Sequence, residues 1–154
     1  MTEKVLIIGV GNRMRGDDAV GPLAIDRLKQ AKDWPEEWTL VDAGEVPENA
    51  LGLVDKEKPS RILLIDACDW GAEPGETRFF SAEELEKLPI RMLSTHGLPL
   101  AFWVKMTLTD HPGLKIELFG IQAAELAFNA ALTQPVAAAL ERIEVLVRKH
   151  LNSC

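Results

Sequence analysis

Three short apolar runs, each closing on glycine or aspartate and the first two followed by helix-forming sequence, constrain this chain more than any other feature. Val5 to Val10 carries no charge and reads as a buried strand. Thr39-Leu40-Val41 stops at Asp42-Ala43-Gly44, and Arg61-Ile62-Leu63-Leu64-Ile65 stops at Asp66-Ala67-Cys68-Asp69. Between them, Val20, Leu23, Ala24, Leu28 and Ala31 recur at helical spacing, with Pro22 tolerable in the first turn. Pro47 opens a short helix over Glu48 to Asp55. Beyond a Gly/Pro-rich loop, the spacing predicts an edge strand at Glu76 to Phe80 and a helix opened by the capping box Ser81-Ala82-Glu83-Glu84. A helix over Gly97 to Leu108, a strand over Leu114 to Gly120 and one long helix from Pro135 to about Leu151 complete the pattern. Strands alternating with helices predict an α/β fold: a three-layer α/β/α sandwich around a mostly parallel twisted sheet with one antiparallel edge strand. With no repeat, linker or low-complexity tract, residues 1–154 are expected to form a single domain.

Composition narrows the function classes. A chain of 154 residues is long enough to bury roughly 70% of the surface it exposes when unfolded. A net charge of −7 argues against a nucleic-acid partner, because phosphate binding needs a basic face. No apolar run approaches the roughly 20 residues of a membrane span. Val5 to Val10 is too short for a signal-peptide core and no cleavage region follows it, so a cytoplasmic protein without membrane insertion is expected. The two cysteines, Cys68 and Cys154, form no CxxC pair, which excludes a thiolate zinc site.

The stretch Ile7 to Pro22, "IIGVGNRMRGDDAVGP", starts like a dinucleotide-binding loop and departs from it. Gly9 and Gly11 match the first two glycines of G-x-G-x-x-G, and Asp42 matches the acidic residue after the second strand. The third glycine position is Met14, however, and Asp17 and Asp18 stand where a pyrophosphate would dock. At about 4 Å, each like-charge pair costs roughly 1 kcal/mol in water and about 4 at an effective dielectric of 20. Aspartates here suit a helix cap or a cation instead.

Ligands in open α/β sheets bind beyond the carboxyl ends of the strands, which selects Asp17 and Asp18 after the first strand, Asp42 after the second, and Asp66 and Asp69 after the third. His96, in the connection before a helix, joins them. Two carboxylates and an imidazole can make a divalent-ion site with open positions, although a lone histidine also serves as a hydrogen-bonded structural group. Cys68 could act as a thiol nucleophile or fill space beside a strand end. His111 and His150 read as surface or capping residues. No H-E-x-x-H, G-x-S-x-G or P-loop motif is present.

"GVGNRMRGDDAVGP" resembles the N-terminal signature of the hydrogenase maturation proteases, "LLIDACDWG" their second motif, and "STHGLPL" their third. The stretch from Val46 to Asp69 and the "GIQ" at Gly120 to Gln122 bring the likeness closest to the branch serving energy-converting, formate-hydrogenlyase-type hydrogenases. The resemblance implies an endopeptidase that removes the C-terminal extension of a [NiFe]-hydrogenase large-subunit precursor after nickel insertion. It also implies that Asp18, Asp66 and His96 are the metal-binding and catalytic positions, and that Asp42 handles substrate. Nickel would arrive with the precursor; zinc, cadmium or copper would serve as surrogates, since two carboxylates and an imidazole do not strongly select among them. The expected partner is that precursor, engaged by a monomer. A non-cleaving nickel-checkpoint chaperone of the precursor, or a divergent dinucleotide-binding protein, is the alternative. Two departures from the family pattern are Ala43, where many relatives carry glycine, and Ala123, where close relatives carry proline.

Overall fold

The structure, a computed structural model, describes residues 3–92 and 100–153. Its strands are β1 (Val5–Gly9), β2 (Trp38–Asp42), β3 (Arg61–Asp69), β4 (Thr77–Ser81), β5 (Arg91–Met92) and β6 (Lys115–Gln122). Its helices are α1 (Val20–Lys29), α2 (Leu51–Glu57), α3 (Ala82–Lys87), α4 (Leu100–Asp110), α5 (Gln134–Glu141) and α6 (Ile143–Asn152). The sheet runs β2-β1-β3-β6-β4, with β5 added to β3. The β2, β1, β3 and β6 strands are parallel, and β4 closes one edge antiparallel to β6, as the alternation of elements predicts.

Strand alternation sorts the apolar side chains into two layers. On one face, Ile7, Leu63, Ile65 and Phe119 pack against Val20, Ile25 and Leu28 of α1 and against Val136, Ile143 and Val147 of α5 and α6. On the other, Leu6, Ile8, Ile62, Leu64 and Leu118 pack against Val54 of α2, Leu85 of α3 and Trp103 and Val104 of α4. Each fully buried Leu, Ile or Val side chain is worth about 1.5–3 kcal/mol relative to exposure. The α1 and α2 helices lie on opposite faces for a topological reason. The chain leaves β1 in one direction to reach β2 and crosses back over β1 to reach β3, and right-handed crossovers put the two helices on opposite sides. That reversal opens a crevice at the carboxyl ends of β1 and β3.

Three elements differ from their sequence-based bounds in informative ways. The third strand continues through Asp69 rather than stopping at Ile65. Gly9, the last residue of β1, pairs with Ile65, and beyond that point β5 takes over the same edge of β3, pairing Met92 with Cys68 and Arg91 with Asp69. The expected long C-terminal helix is two helices, broken at Arg142, whose φ of −99° and ψ of 2° leave the helical path. The first helix is preceded by a separate 3-10 turn, Gly16–Ala19, which carries both aspartates. The Ser81 capping box forms as read: Glu84 N–H donates to Ser81 Oγ at 3.1 Å, and Ser81 N–H donates to Glu84 Oε1 at 3.0 Å. Among the described residues, no helix is long and apolar enough to cross a membrane.

Candidate active site

The turn after β1 is built on close backbone packing. A Cβ on Gly9 would meet the Gly21 carbonyl oxygen and Ile25 Cγ1, each at 2.5 Å, and one on Gly21 would collide with the Val10 carbonyl. Helix α1 therefore leans on β1 through Gly21 in its own first turn, not through a third loop glycine. Met14, in that loop position, is 56% exposed. Gly11, at φ 150°, lets the loop lie directly against the Asp18 backbone.

Asp17 and Asp18 are both fully buried, but they have different partners. Asp17 accepts from the Ala124, Glu125 and Thr133 backbone N–H groups at 2.8, 3.0 and 2.8 Å, and from Thr133 Oγ1 at 2.9 and 3.1 Å. Its own N–H donates to the Glu125 carbonyl at 2.7 Å. Asp17 is thus a clamp that ties the loop after β6 to the turn after β1. Asp18 accepts one hydrogen bond, from Asn12 N–H to Oδ2 at 3.0 Å, and Arg15 Nη1 stands 4.0 Å from the same oxygen. Among the described residues, Asp18 Oδ1 has no hydrogen-bond partner. Burial pushes the Asp18 carboxyl above the usual range, and nearby Glu45 adds to this. Asn12 and Arg15 pull it back only in part.

Asp66 lies inside β3, one residue past the last pairing with β1, which puts it at the mouth of the crevice and fully buried. Alternation turns it toward the α4 side of the sheet, with Leu64 and Cys68. The Cys68 thiol is buried, and desolvation raises its pKa well above the ordinary value; the Asp66 and Asp18 carboxylates, both within its electrostatic reach, raise it further. A thiol held protonated this way does not serve as a nucleophile. Asp18 and Asp66 thus converge on one crevice from β1 and β3. Among the described residues, no three His, Cys, Asp or Glu side chains form a set that could hold a metal. The third expected ligand, His96, lies outside the described residues.

Asn12 and Glu45 bear on the site without having been singled out as candidates. Asn12 is a hub: its backbone serves Asp18, its Nδ2 donates to Glu45 Oε1 at 3.1 Å, and its Oδ1 accepts from Met14 N–H at 2.8 Å. Only a side chain with both donor and acceptor can do this. Glu45 adds a carboxylate next to Asp18; its signal was its place just past the second strand end, three residues after Asp42. Asp42 itself, at the end of β2, accepts from Arg13 Nη2 at 2.8 Å and from Gly44 N–H at 2.9 Å, and Arg13 also grips Asp26 at 2.6 Å. Asp69 and Gln122 brace the loop after β3: Gln122 Oε1 accepts from Trp70 and Ala72 N–H, and its Nε2 donates to Asp69 Oδ1 at 3.1 Å. Ala123 donates its N–H to the Cys68 carbonyl at 3.1 Å, a bond that proline at that position would not make.

The profile of the hydrogenase maturation proteases of the HycI type matches residues 22–150 of this sequence. The chain belongs to the hydrogenase maturation protease family. It is 31% identical over 138 residues to the hydrogenase 3 maturation protease of Escherichia coli K12, covering 90% of this chain and 85% of that protein. The crystal structure of the [NiFe] hydrogenase maturation protease HycI from Thermococcus kodakarensis KOD1 superposes with a TM-score of 0.80 at 32% identity, covering 98% of this chain and 94% of the other. The solution structure of the endopeptidase HycI from Escherichia coli gives a TM-score of 0.76 at 32% identity, covering 93% and 86%. This maturation protease is therefore a peptide-bond hydrolase with the mostly parallel sheet of its relatives. Two of its carboxylates at the carboxyl ends of β1 and β3 are buried, and Asp18 Oδ1 has no hydrogen-bond partner among the described residues. A desolvated carboxylate without a full set of hydrogen bonds gains most from a cation.

Proposed function

We propose that this maturation protease removes the C-terminal extension of a [NiFe]-hydrogenase large-subunit precursor once nickel has been inserted. The observation that carries the reading is Asp18: fully buried, oriented by the Asn12 backbone, and left with Oδ1 unpartnered among the described residues. A carboxylate held this way is costly in an idle protein and useful where a cation arrives with the substrate. In this reading, Asp18 and Asp66 offer oxygen ligands and His96 a nitrogen to nickel carried by the precursor, which aligns the neighbouring peptide bond in the crevice. Nickel is thus part of the substrate, and zinc, cadmium or copper would substitute for it. Burial excludes water around the two carboxylates and strengthens their attraction for that cargo. Asp42, half-exposed at the rim and held by Arg13, would face the incoming polypeptide.

The test is incubation with precursor in nickel-loaded and nickel-free forms, followed by intact mass spectrometry. Loss of a C-terminal peptide from the loaded form only, abolished by His96→Ala in a folded variant, is the expected result. Cleavage of both forms alike would remove the nickel requirement, and full cleavage by His96→Ala would remove that ligand.

A further inference from the structure

Two of the largest exposed apolar side chains of the described residues, Met14 and Phe128, are 56% and 67% exposed, and although 114 positions separate them in sequence the loops that carry them are hydrogen-bonded to each other. Asn129, at φ 63° (a conformation asparagine adopts at little cost), donates its N–H to the Met14 carbonyl at 2.7 Å. The loop bearing Phe128 is fixed to the Asp18 turn by the Asp17 clamp described above, so the two side chains stand on a pre-formed platform. Arg15 links that platform to the site: its guanidinium lies 5.9 Å from the Phe128 ring centroid and 4.0 Å from Asp18 Oδ2. Neither apolar side chain contributes core burial, which leaves the exposure without a folding purpose.

We propose that Met14 and Phe128 form the docking rim for the polypeptide substrate, receiving an apolar stretch of the precursor close to the bond that is cut. This rests on the reading of the preceding subsection. Arg15 touches both Phe128 and the Asp18 carboxylate, so a chain whose cargo faces Asp18 has this rim beside it. An aromatic anchor beside a flexible thioether is a combination that grips varied apolar side chains, and pre-organisation by Asp17 lowers the entropy cost of engaging them.

The experiment measures the affinity of nickel-loaded large-subunit precursor for the wild type and for Met14→Ser, Phe128→Ser, Phe128→Leu and Val145→Ser, with mass spectrometry of the bound precursor. Val145, 68% exposed on α6, is the control for general surface polarity. Each rim serine variant is expected to raise Kd about tenfold, as truncation of an interface anchor does. Phe128→Leu should stay within a few-fold of wild type, and Val145→Ser should match it. Met14→Ser leaves the Arg15–Phe128 contact in place, so its loss of affinity reports the rim rather than a displaced Arg15. Wild-type affinity in both serine variants would overturn the proposal. Weakened binding by the rim variants with the precursor's C-terminus left intact by the wild type would uphold the docking rim and refute proteolysis. A wild type that neither binds nor cleaves would refute both.

Discussion

At the amino end of the sheet, Arg61 Nε donates to Glu117 Oε1 at 2.7 Å, and His150 Nε2 meets the other Glu117 oxygen at 2.7 Å. The His150 ring stacks on Phe79 at 3.6 Å, 9° from parallel. At the carboxyl end, Asp18 is as deeply buried as any residue of the core, yet among the described residues it accepts a single hydrogen bond. The same sheet thus handles buried charge in two ways. At the amino end the carboxylate is satisfied from two sides, and its proton affinity falls. Burial alone would raise it, but the bonds from His150 and Arg61 outweigh that and hold Glu117 below the usual carboxylate range. At the carboxyl end the balance is reversed, and Asp18 is held above that range. Asp17 shows that the reversal is not forced by location, since its neighbouring carboxylate, equally buried, is fully saturated. One aspartate builds the loop, and the other is kept available.

Removing the saturated groups should therefore cost stability, and removing the available one should not. The largest effect is expected for Asp17→Ala, which removes a buried carboxylate and the partner of three backbone N–H groups and the Thr133 hydroxyl: about 4 kcal/mol in denaturant unfolding. A loss below about 1 kcal/mol would mean that the clamp does not hold the two loops together. Glu117→Gln should cost about 2–3 kcal/mol, because it breaks a buried pair and leaves Arg61 with the more exposed Glu3 carboxylate, at 3.4 Å, as its charge partner. This second loss is expected to depend on pH. A carboxylate with a depressed folded-state pKa contributes stability that is present above its unfolded value, about 4.3, and is lost as pH falls through the lower folded value. The stability gap between wild type and Glu117→Gln should accordingly be constant near neutrality and shrink below about pH 4. A gap unchanged down to pH 3 would show that Glu117 is not stabilised as an anion. The smallest effect is expected for Asp18→Asn. Its folded-state pKa is raised, so the charge opposes folding at neutral pH; stability should be unchanged or rise by up to about 1 kcal/mol. A loss above 2 kcal/mol would place Asp18 with the structural groups.

Much of this contrast was legible in the sequence. The strand ends isolated Asp18, Asp42 and Asp66, and hydrophobic periodicity placed the elements that carry them, because a parallel sheet buried on both faces must be apolar throughout. Spacing and charge did not say which of Asp17 and Asp18 was the structural one; only the family resemblance singled out Asp18. Asp17 finds its partners at Ala124, Glu125 and Thr133, more than 100 residues away, and no local pattern encodes that. The missing third loop glycine had a physical substitute in Gly21, recognisable only once α1 is seen lying against β1. His150 was read as a helix-end residue, yet it completes a network with Arg61 and Glu117 that arises only when α6 meets the sheet. The break at Arg142 left no mark in a periodicity that continues through it.

The central claim is that the carboxylate left available is the one that works on the substrate. Its most direct test is single-turnover cleavage of nickel-loaded large-subunit precursor by equal concentrations of folded wild type and Asp18→Asn, followed by intact mass spectrometry. The expected result is release of the C-terminal peptide by the wild type and a rate lower by about 100-fold or more in Asp18→Asn, since even partners one shell outside a metal cost 10–100-fold. Cleavage by Asp18→Asn at the wild-type rate would contradict the claim.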